Sequence, residues 1–347
     1  MKKKVLALIL VLMIGMMGAV NVFATEGTIA VNMNGEALDM PAKVFDGELY
    51  LPLRAVAEKL GFNVQWSGAS QEINVAKPDK SIRINITDSR ISVNDHDTFI
   101  FGGLKFVSDR TYIGQSFFND DLGLKITWDK TYDTVTLESI KENPVTISTR
   151  EKTSESNTFK LTLQYPEITG LQDTDVQNKL NSLFAELAAE SEKAGRELEK
   201  NLGQDELTRN IKTETYFNYQ IKCDRDSLLS IVFSDYQYGG GAHGNTVQSS
   251  YTFDLDTGNV YKLSDLFSGS SYISTINSAI KKQIEERGMT ATLAPFETIK
   301  ADQDFYLSNN AVVVYFQAYE YWPYSFGIPE FSVDFPLLKE GMKPEFD

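Results

Sequence analysis

Tyr50-Leu51-Pro52-Leu53-Arg54-Ala55-Val56-Ala57-Glu58-Lys59-Leu60-Gly61-Phe62-Asn63-Val64-Gln65-Trp66 returns 62 positions later as Tyr112-Ile113-Gly114-Gln115-Ser116-Phe117-Phe118-Asn119-Asp120-Asp121-Leu122-Gly123-Leu124-Lys125-Ile126-Thr127-Trp128. The two copies align without a gap, and the match continues as Ile73-Asn74-Val75 over Val135-Thr136-Leu137. Each copy reads as strand, amphipathic helix, glycine stop, strand, turn, strand. Leu53, Val56, Ala57 and Leu60 recur at helical spacing, and Gly61 sits where a left-handed C-cap is needed. Phe62, Val64 and Trp66 then alternate as a half-buried strand. Between the copies, Ile82, Ile84, Ile86, Ile91 and Val93 keep the two-residue period. One such unit is too small to cover its own sheet face, so the two copies are expected to pack on each other.

Downstream the pattern changes. A charged, Ser/Thr-rich stretch, residues 138–157, reads as the separator between two halves. Phe159, Leu161 and Leu163 then alternate as a strand, and Thr174 with Gln177 reads as a capping box. It opens a long helix with Val176, Leu180, Leu183, Leu187, Ala194 and Leu198 as its buried stripe. Paired strands follow through Tyr216, Tyr219 and Ile221, then Leu228, Ser230 and Val232. Asp254-Leu255-Asp256-Thr257-Gly258 reads as a hairpin turn, Ile273, Ile276, Ile280 and Ile284 as a second helix, and residues 305–333 as aromatic strands. The predicted class is α+β: a repeat-built domain of short strands and two helices over residues 27–140, then an α+β half with an antiparallel sheet and two main helices. That half divides as 144–238 and 239–340.

At the other end, Lys2, Lys3 and Lys4 precede an uncharged apolar run, residues 5–20, and Val22-Phe23-Ala24 offers small residues for cleavage after Ala24. This predicts a signal peptide over residues 1–24, and hence an extracellular or cell-surface protein with no transmembrane segment after cleavage. The 347 residues hold 33 Lys+Arg against 48 Asp+Glu, a net charge of −15. Loss of the leader removes three lysines and no acid, which takes the charge to −18. Such a polyanion is repelled by nucleic acid and anionic membranes. The single cysteine, Cys223, makes no intrachain disulfide, and two histidines, His96 and His243, cannot build a three-imidazole metal site. His96, in an Asn-Asp-His-Asp turn, reads as solvent-facing. No cofactor is expected.

The Tyr50-Leu51-Pro52-Leu53-Arg54 start, the Leu60-Gly61 helix stop and the Trp66 and Trp128 strands resemble the copper amine oxidase N-terminal-like, or stalk, domain of exported bacterial envelope proteins. Gly114-Gln115-Ser116 departs from the Pro-Leu-Arg usual there. The resemblance implies a spacer or adhesion module without copper. Tyr238-Gly239-Gly240-Gly241-Ala242-His243-Gly244-Asn245, residues 251–267, Tyr315-Phe316-Gln317 and Gly327-Ile328-Pro329-Glu330-Phe331 resemble the RsiV-like extracellular domain. They also resemble the related non-catalytic domain that precedes deacetylase modules in PdaC-like envelope enzymes. With no sigma-binding segment, and no deacetylase module after residue 340, neither signalling nor deacetylation is carried over. The resemblance does imply a lysozyme-like protein as the first partner to consider, and lysozymes are basic where this chain is acidic.

His243 beside three glycines is the sharpest local signal, since glycine permits positive φ and close approach. No nucleophile motif accompanies it. The cluster Tyr319, Tyr321, Trp322, Tyr324 and Phe326 suits stacking on a sugar ring or docking on a protein. Tyr238, His243, Tyr321, Trp322 and Tyr324 are therefore the candidate partner-binding residues, with no catalytic, cofactor or metal residues named. The function expected is a non-enzymatic envelope or secreted protein that binds a protein or cell-wall glycan. A cell-wall-active hydrolase or esterase using His243, and a purely structural envelope protein, are the alternatives.

Overall fold

The two copies of the repeat meet strand to strand. In a computed structural model that describes residues 29–45, 47–78, 80–88, 90–99, 103–203 and 210–346, β4 (Glu48–Pro52) pairs antiparallel with β11 (Arg110–Gly114). Leu51 lies opposite Ile113, its own counterpart in the repeat, so a local two-fold relates the copies at that pair. β3 (Lys43–Phe45) and β10 (Leu104–Val107) flank the pair symmetrically. Each central strand runs into its helix, α1 (Leu53–Lys59) or α2 (Gln115–Asp120). Gly61 and Gly123, at φ +82° and +66°, end the helical turns where the sequence requires a left-handed residue.

Each helix leads to an outer hairpin, β5 (Asn63–Ser67) with β6 (Glu72–Lys77), or β12 (Leu124–Asp129) with β13 (Thr134–Ser139). The copies diverge beyond that. β7 (Lys80–Asn85), β8 (Arg90–Val93) and β9 (His96–Phe99) extend the first hairpin into a five-stranded meander. In the second copy β1 (Ala30–Met33) lies parallel to β13 and carries β2 (Glu36–Ala37) on its far side. Val56, Val75, Ile84, Phe118, Ile126 and Leu137 from both copies fill one common core, which no single copy could close. The leader expected over residues 1–24 lies outside the described residues.

The second half is built on a six-stranded sheet whose strands lie in chain order. These are β14 (Thr146–Glu155), β15 (Phe159–Thr169), β16 (Thr213–Arg225), β17 (Leu228–Tyr238), β18 (Asn245–Asp254) and β19 (Val260–Tyr261). Only β15 and β16 are parallel, because α3 (Thr174–Lys200) crosses between them. Two expectations change here. Half of the stretch read as a separator is β14, a solvated edge strand whose Arg150, Glu151, Lys152 and Glu155 discourage pairing with another chain. The division at 238/239 runs through a continuous β17–β18 ladder.

α3 lies across one face of this sheet. Its cap is Asp173, whose Oδ1 accepts from the Asp175 and Val176 amides at 2.8 and 3.2 Å, in place of the Thr174 box. The buried stripe is Val176, Leu180, Phe184, Ala188, Ser191 and Gly195, whereas Ala194 is exposed. Phe184 packs on Phe233 and Phe253, with ring centroids 5.8 and 5.6 Å away. Leu229, Ile231 and Phe233 of β17 face this helix, while Val232 turns the other way against Tyr306, Val313 and Tyr315. Those three belong to β20 (Phe305–Leu307) and β21 (Ala311–Tyr315), which with β22 (Glu330–Asp334) form a small antiparallel sheet. α4 (Ser271–Glu286) and the short α5 (Phe335–Leu338) close its far side around Ile276, Ile280, Phe316 and Phe331.

The two halves are docked through β16. Lys222, 4% exposed, reaches Asp120 of α2 at 2.8 Å. Asn310 donates to the Ile126 carbonyl at 2.9 Å and Asn309 to the Asn119 carbonyl at 2.6 Å. Beside Asp120, burial pushes the Asp121 carboxyl up to about 7, with the neighbouring Asp120 charge adding to the shift. His96 is buried here, against the expectation that it faces solvent. Its ring stacks on Tyr219 at 4.2 Å and Nε2 donates to the Tyr219 carbonyl at 2.8 Å. Burial holds its pKa below the usual imidazole value, opposed by the Tyr219 carbonyl, Asp97 and Glu151.

Two predictions follow from this packing. A Cβ on Gly195 would lie 1.8 Å from Thr215 Oγ1 and 3.1 Å from Gln237 Oε1, so α3 sits this close to the sheet only because residue 195 is glycine. Gly195→Ala should lower stability by about 1–3 kcal/mol despite the higher helix propensity of alanine, as read by urea unfolding. A buried histidine with a depressed pKa contributes stability that is present above the imidazole value of 6.5 and is lost as pH falls through the folded-state pKa. The melting temperature of wild type minus that of His96→Gln should therefore shrink from pH 8 to pH 5; a constant difference would mean that His96 is not buried in the neutral form.

Candidate functional site

The loop between β17 and β18 carries the candidate site. Gly240 takes φ +95°, a conformation that side chains resist. Gly244 serves a different need: a Cβ there would fall 2.3–2.5 Å from ring atoms of Tyr236, so the backbone lies directly against that ring. Tyr238 clips the loop by donating from its hydroxyl to the Gly241 carbonyl at 3.0 Å. Burial pushes the Tyr236 hydroxyl up, and Glu214, Tyr324 and Tyr238 add to the shift, which reflects how closely these phenols gather.

The imidazole of His243 is oriented by its own backbone. Nδ1 lies 2.8 Å from the Gly244 carbonyl, an acceptor, so Nδ1 carries the proton and the neutral ring presents a lone pair at Nε2. The hydroxyl of Tyr324 donates to the same carbonyl at 3.0 Å, and its ring stacks on His243 at 4.0 Å. Tyr319 continues the stack, 5.7 Å from Tyr324, with its hydroxyl 3.5 Å from His243 Nε2. It is 51% exposed and stands at φ +69°, a strained conformation for a bulky residue.

A side-chain splice holds this second loop in place. Gln317 donates from Nε2 to the Gln248 carbonyl at 2.8 Å and accepts from the Gln248 amide at 3.1 Å, pairing with β18 as a strand residue would. Glu320 accepts from the Gln317 amide at 3.0 Å and pairs with Lys300.

The structure thus brings Tyr238, His243 and Tyr324 to one loop cluster and adds Tyr319, which the sequence pattern does not separate from its aromatic neighbours. It assigns Tyr321 and Trp322 elsewhere. Trp322 is 2% exposed, donates from its indole to the Met289 carbonyl at 3.2 Å and packs on Phe316 and Phe331. Tyr321 packs edge-on against Phe316 and Phe296. Trp322 is a core residue and Tyr321 is half-buried against the same core, because the segment after Tyr319 dips toward it before Tyr324 returns to the surface. Alternation of aromatics in a loop carries no signal for that dip.

Other chemistry is restricted. Burial pushes the Cys223 thiol up to about 12, so it is no nucleophile at neutral pH. Asp254 is consumed by its turn: Oδ1 accepts from the Asp256 and Thr257 amides and Oδ2 from the Tyr261 hydroxyl. Among the described residues no group of three or more His, Cys, Asp and Glu is placed to hold a metal ion, and no helix is long and apolar enough to cross a membrane.

Residues 31–137 match the family model of the copper amine oxidase N-terminal domain, residues 152–246 that of deacetylase PdaC, and residues 264–335 that of a protein family of unknown function, DUF3298. Two solved structures of DUF3298 proteins are similar to the chain. One, from Bacteroides fragilis, is 17% identical, with a TM-score of 0.48 over 59% of this chain and 96% of that one. The other, from Pseudomonas aeruginosa, is 18% identical, with a TM-score of 0.44 over 58% and 95%. The peptidoglycan-N-acetylmuramic acid deacetylase PdaC of Bacillus subtilis is 22% identical over 200 residues, 56% of this chain and 41% of that enzyme. This likeness corrects the expectation of a non-enzymatic binding or adhesion module; it favours the alternative, a cell-wall-active hydrolase. In chain order, the protein carries a copper amine oxidase N-terminal domain, a PdaC domain and a DUF3298 domain.

Proposed function

We propose that this protein acts at the cell surface on peptidoglycan, as a hydrolase that removes acyl groups, with His243 as its general base. One observation carries the reading: His243, held in the tautomer that leaves Nε2 unprotonated beside the Tyr319 hydroxyl, lies within the residues that match the PdaC family. A neutral imidazole with its other nitrogen anchored is the usual base for activating water near neutral pH. Nε2 takes a proton from water as the oxygen adds to the acetyl carbonyl; the tetrahedral adduct then collapses, the C–N or C–O bond breaks, and the proton passes to the leaving amine or alkoxide as acetate departs. Tyr319, whose hydroxyl is beside Nε2, is the nearest donor for the developing oxyanion. The exposed ring of Tyr319, at the end of this stack, offers a face for the apolar side of an amino sugar.

Acetate release from purified peptidoglycan and from N-acetylated amino-sugar oligomers tests this. Wild type should release acetate, and His243→Ala should reduce the rate by at least about a hundredfold. Gly244→Ala, which drives a methyl group into Tyr236, should lower it as well through the displaced loop. Absence of release by wild type, or release indifferent to His243→Ala, would overturn the assignment.

A further inference from the structure

The second copy of the repeat uses one particular face to hold the other half of the chain. Asp120 at the end of α2 pairs with Lys222, and Ile126 of β12 accepts from Asn310 through its carbonyl. The local two-fold at Leu51 and Ile113 carries that face onto Glu58 and Val64 of the first copy. There no described residue of the second half covers it. Instead it opens into a groove of about 1320 Å³ between the α1–β5 corner and the β10–β11 hairpin.

Both walls differ from their counterparts. In the first copy Arg54 stands where the second has Ser116 and Lys59 where it has Asp121; on the facing hairpin Phe106 of the second copy stands where the first has Val44. Trp66 is 50% exposed and Phe106 58% exposed on the two walls, whereas Trp128, the counterpart of Trp66, is half-buried with Lys130 over its ring. Leu53, Val64 and Ile73 form an apolar floor. Arg54 donates to Glu58 at 2.8 Å, and Asp109 and Arg110 line the opposite wall. Charged groups of both signs and an aromatic ring therefore stand on each side.

That combination matches a polysaccharide better than a polypeptide. A pyranose ring has an apolar face that packs on an aromatic ring, and hydroxyls and amides that both donate and accept around its edge. The groove is half-enclosed and large enough for an extended ligand. We infer that this groove of the copper amine oxidase N-terminal domain is a glycan-strand subsite, which holds an N-acetylated amino-sugar polymer between Trp66 and Phe106. Its assignment to peptidoglycan rests on the function proposed above.

Tryptophan fluorescence reads the site directly, because Trp66 is far more exposed than Trp322 and stands clear of the core that half-covers Trp128. Titration with N-acetylglucosamine tetramer, and with glycan strands freed of their peptides, should give a saturable change in emission. Calorimetry should show Trp66→Ala and Phe106→Ala each weakening binding at least about tenfold. No binding by wild type, binding indifferent to both substitutions, or a photo-crosslinker at position 66 that captures a polypeptide from cell-envelope extract in preference to glycan would overturn the inference. Binding that persists where wild type releases no acetate supports the groove and removes only the hydrolase; acetate release without groove binding does the reverse.

Discussion

The buried pair of Lys222 and Asp120 constrains the whole molecule. An ammonium and a carboxylate removed from water each cost several kcal/mol unless they meet in good geometry, so the halves dock in one register or not at all. Lys222 stands on β16, the strand that also pairs with β15 and β17, and Asp120 ends the helix of the second repeat. Around the pair, Asn119, Asn309 and Asn310 exchange hydrogen bonds that only this docking satisfies. The Tyr306 hydroxyl donates to Glu330 on the other side, so the polar network runs on into the small sheet.

Docking through α2 and β12 of the second repeat, with β9 of the meander beside them, leaves the α1–β5 corner of the first repeat turned outward. The two copies share one core and one two-fold, yet only one of the equivalent faces can be occupied by the rest of the same chain. The duplicated face has therefore been free to change: Arg54, paired with Glu58, and an exposed Trp66 stand where the second copy has Ser116 and a half-buried Trp128. In the other half the same economy appears at a smaller scale. β17 shows one face to α3 and the other to β20 and β21, so residues 228–233 are buried on both sides and 234–238, still in the sheet, are half-buried. The glycine loop and its histidine begin where that double cover ends.

Much of this was legible beforehand. The repeat, its helices and strands, and the glycine stops at 61 and 123 follow from periodicity and from the need for a positive φ, and both are local properties. The hairpin at Asp254 and the helix through Ile276 and Ile280 are local in the same way. His243 stood out because three glycines beside a histidine are unusual in any element. Its tautomer was not legible, since that depends on a carbonyl one residue away whose direction the folded loop decides.

The sequence by itself determined that two like units would pack together, that an α+β half would follow, and that an aromatic, glycine-rich region would mark its surface, because side-chain period and backbone permission are properties of neighbouring residues. Tertiary structure alone decided which members of that region meet. Trp322 went to the core and Tyr319 to the surface beside His243, although they stand three residues apart. His96 left solvent to stack on Tyr219, and residues 146–155, with the composition of a linker, became an edge strand. For Tyr319 and His96 the deciding partner lies far off in the chain, and packing against it outweighs what the local residues would choose alone; for residues 146–155 it is the ladder to the next strand, β15.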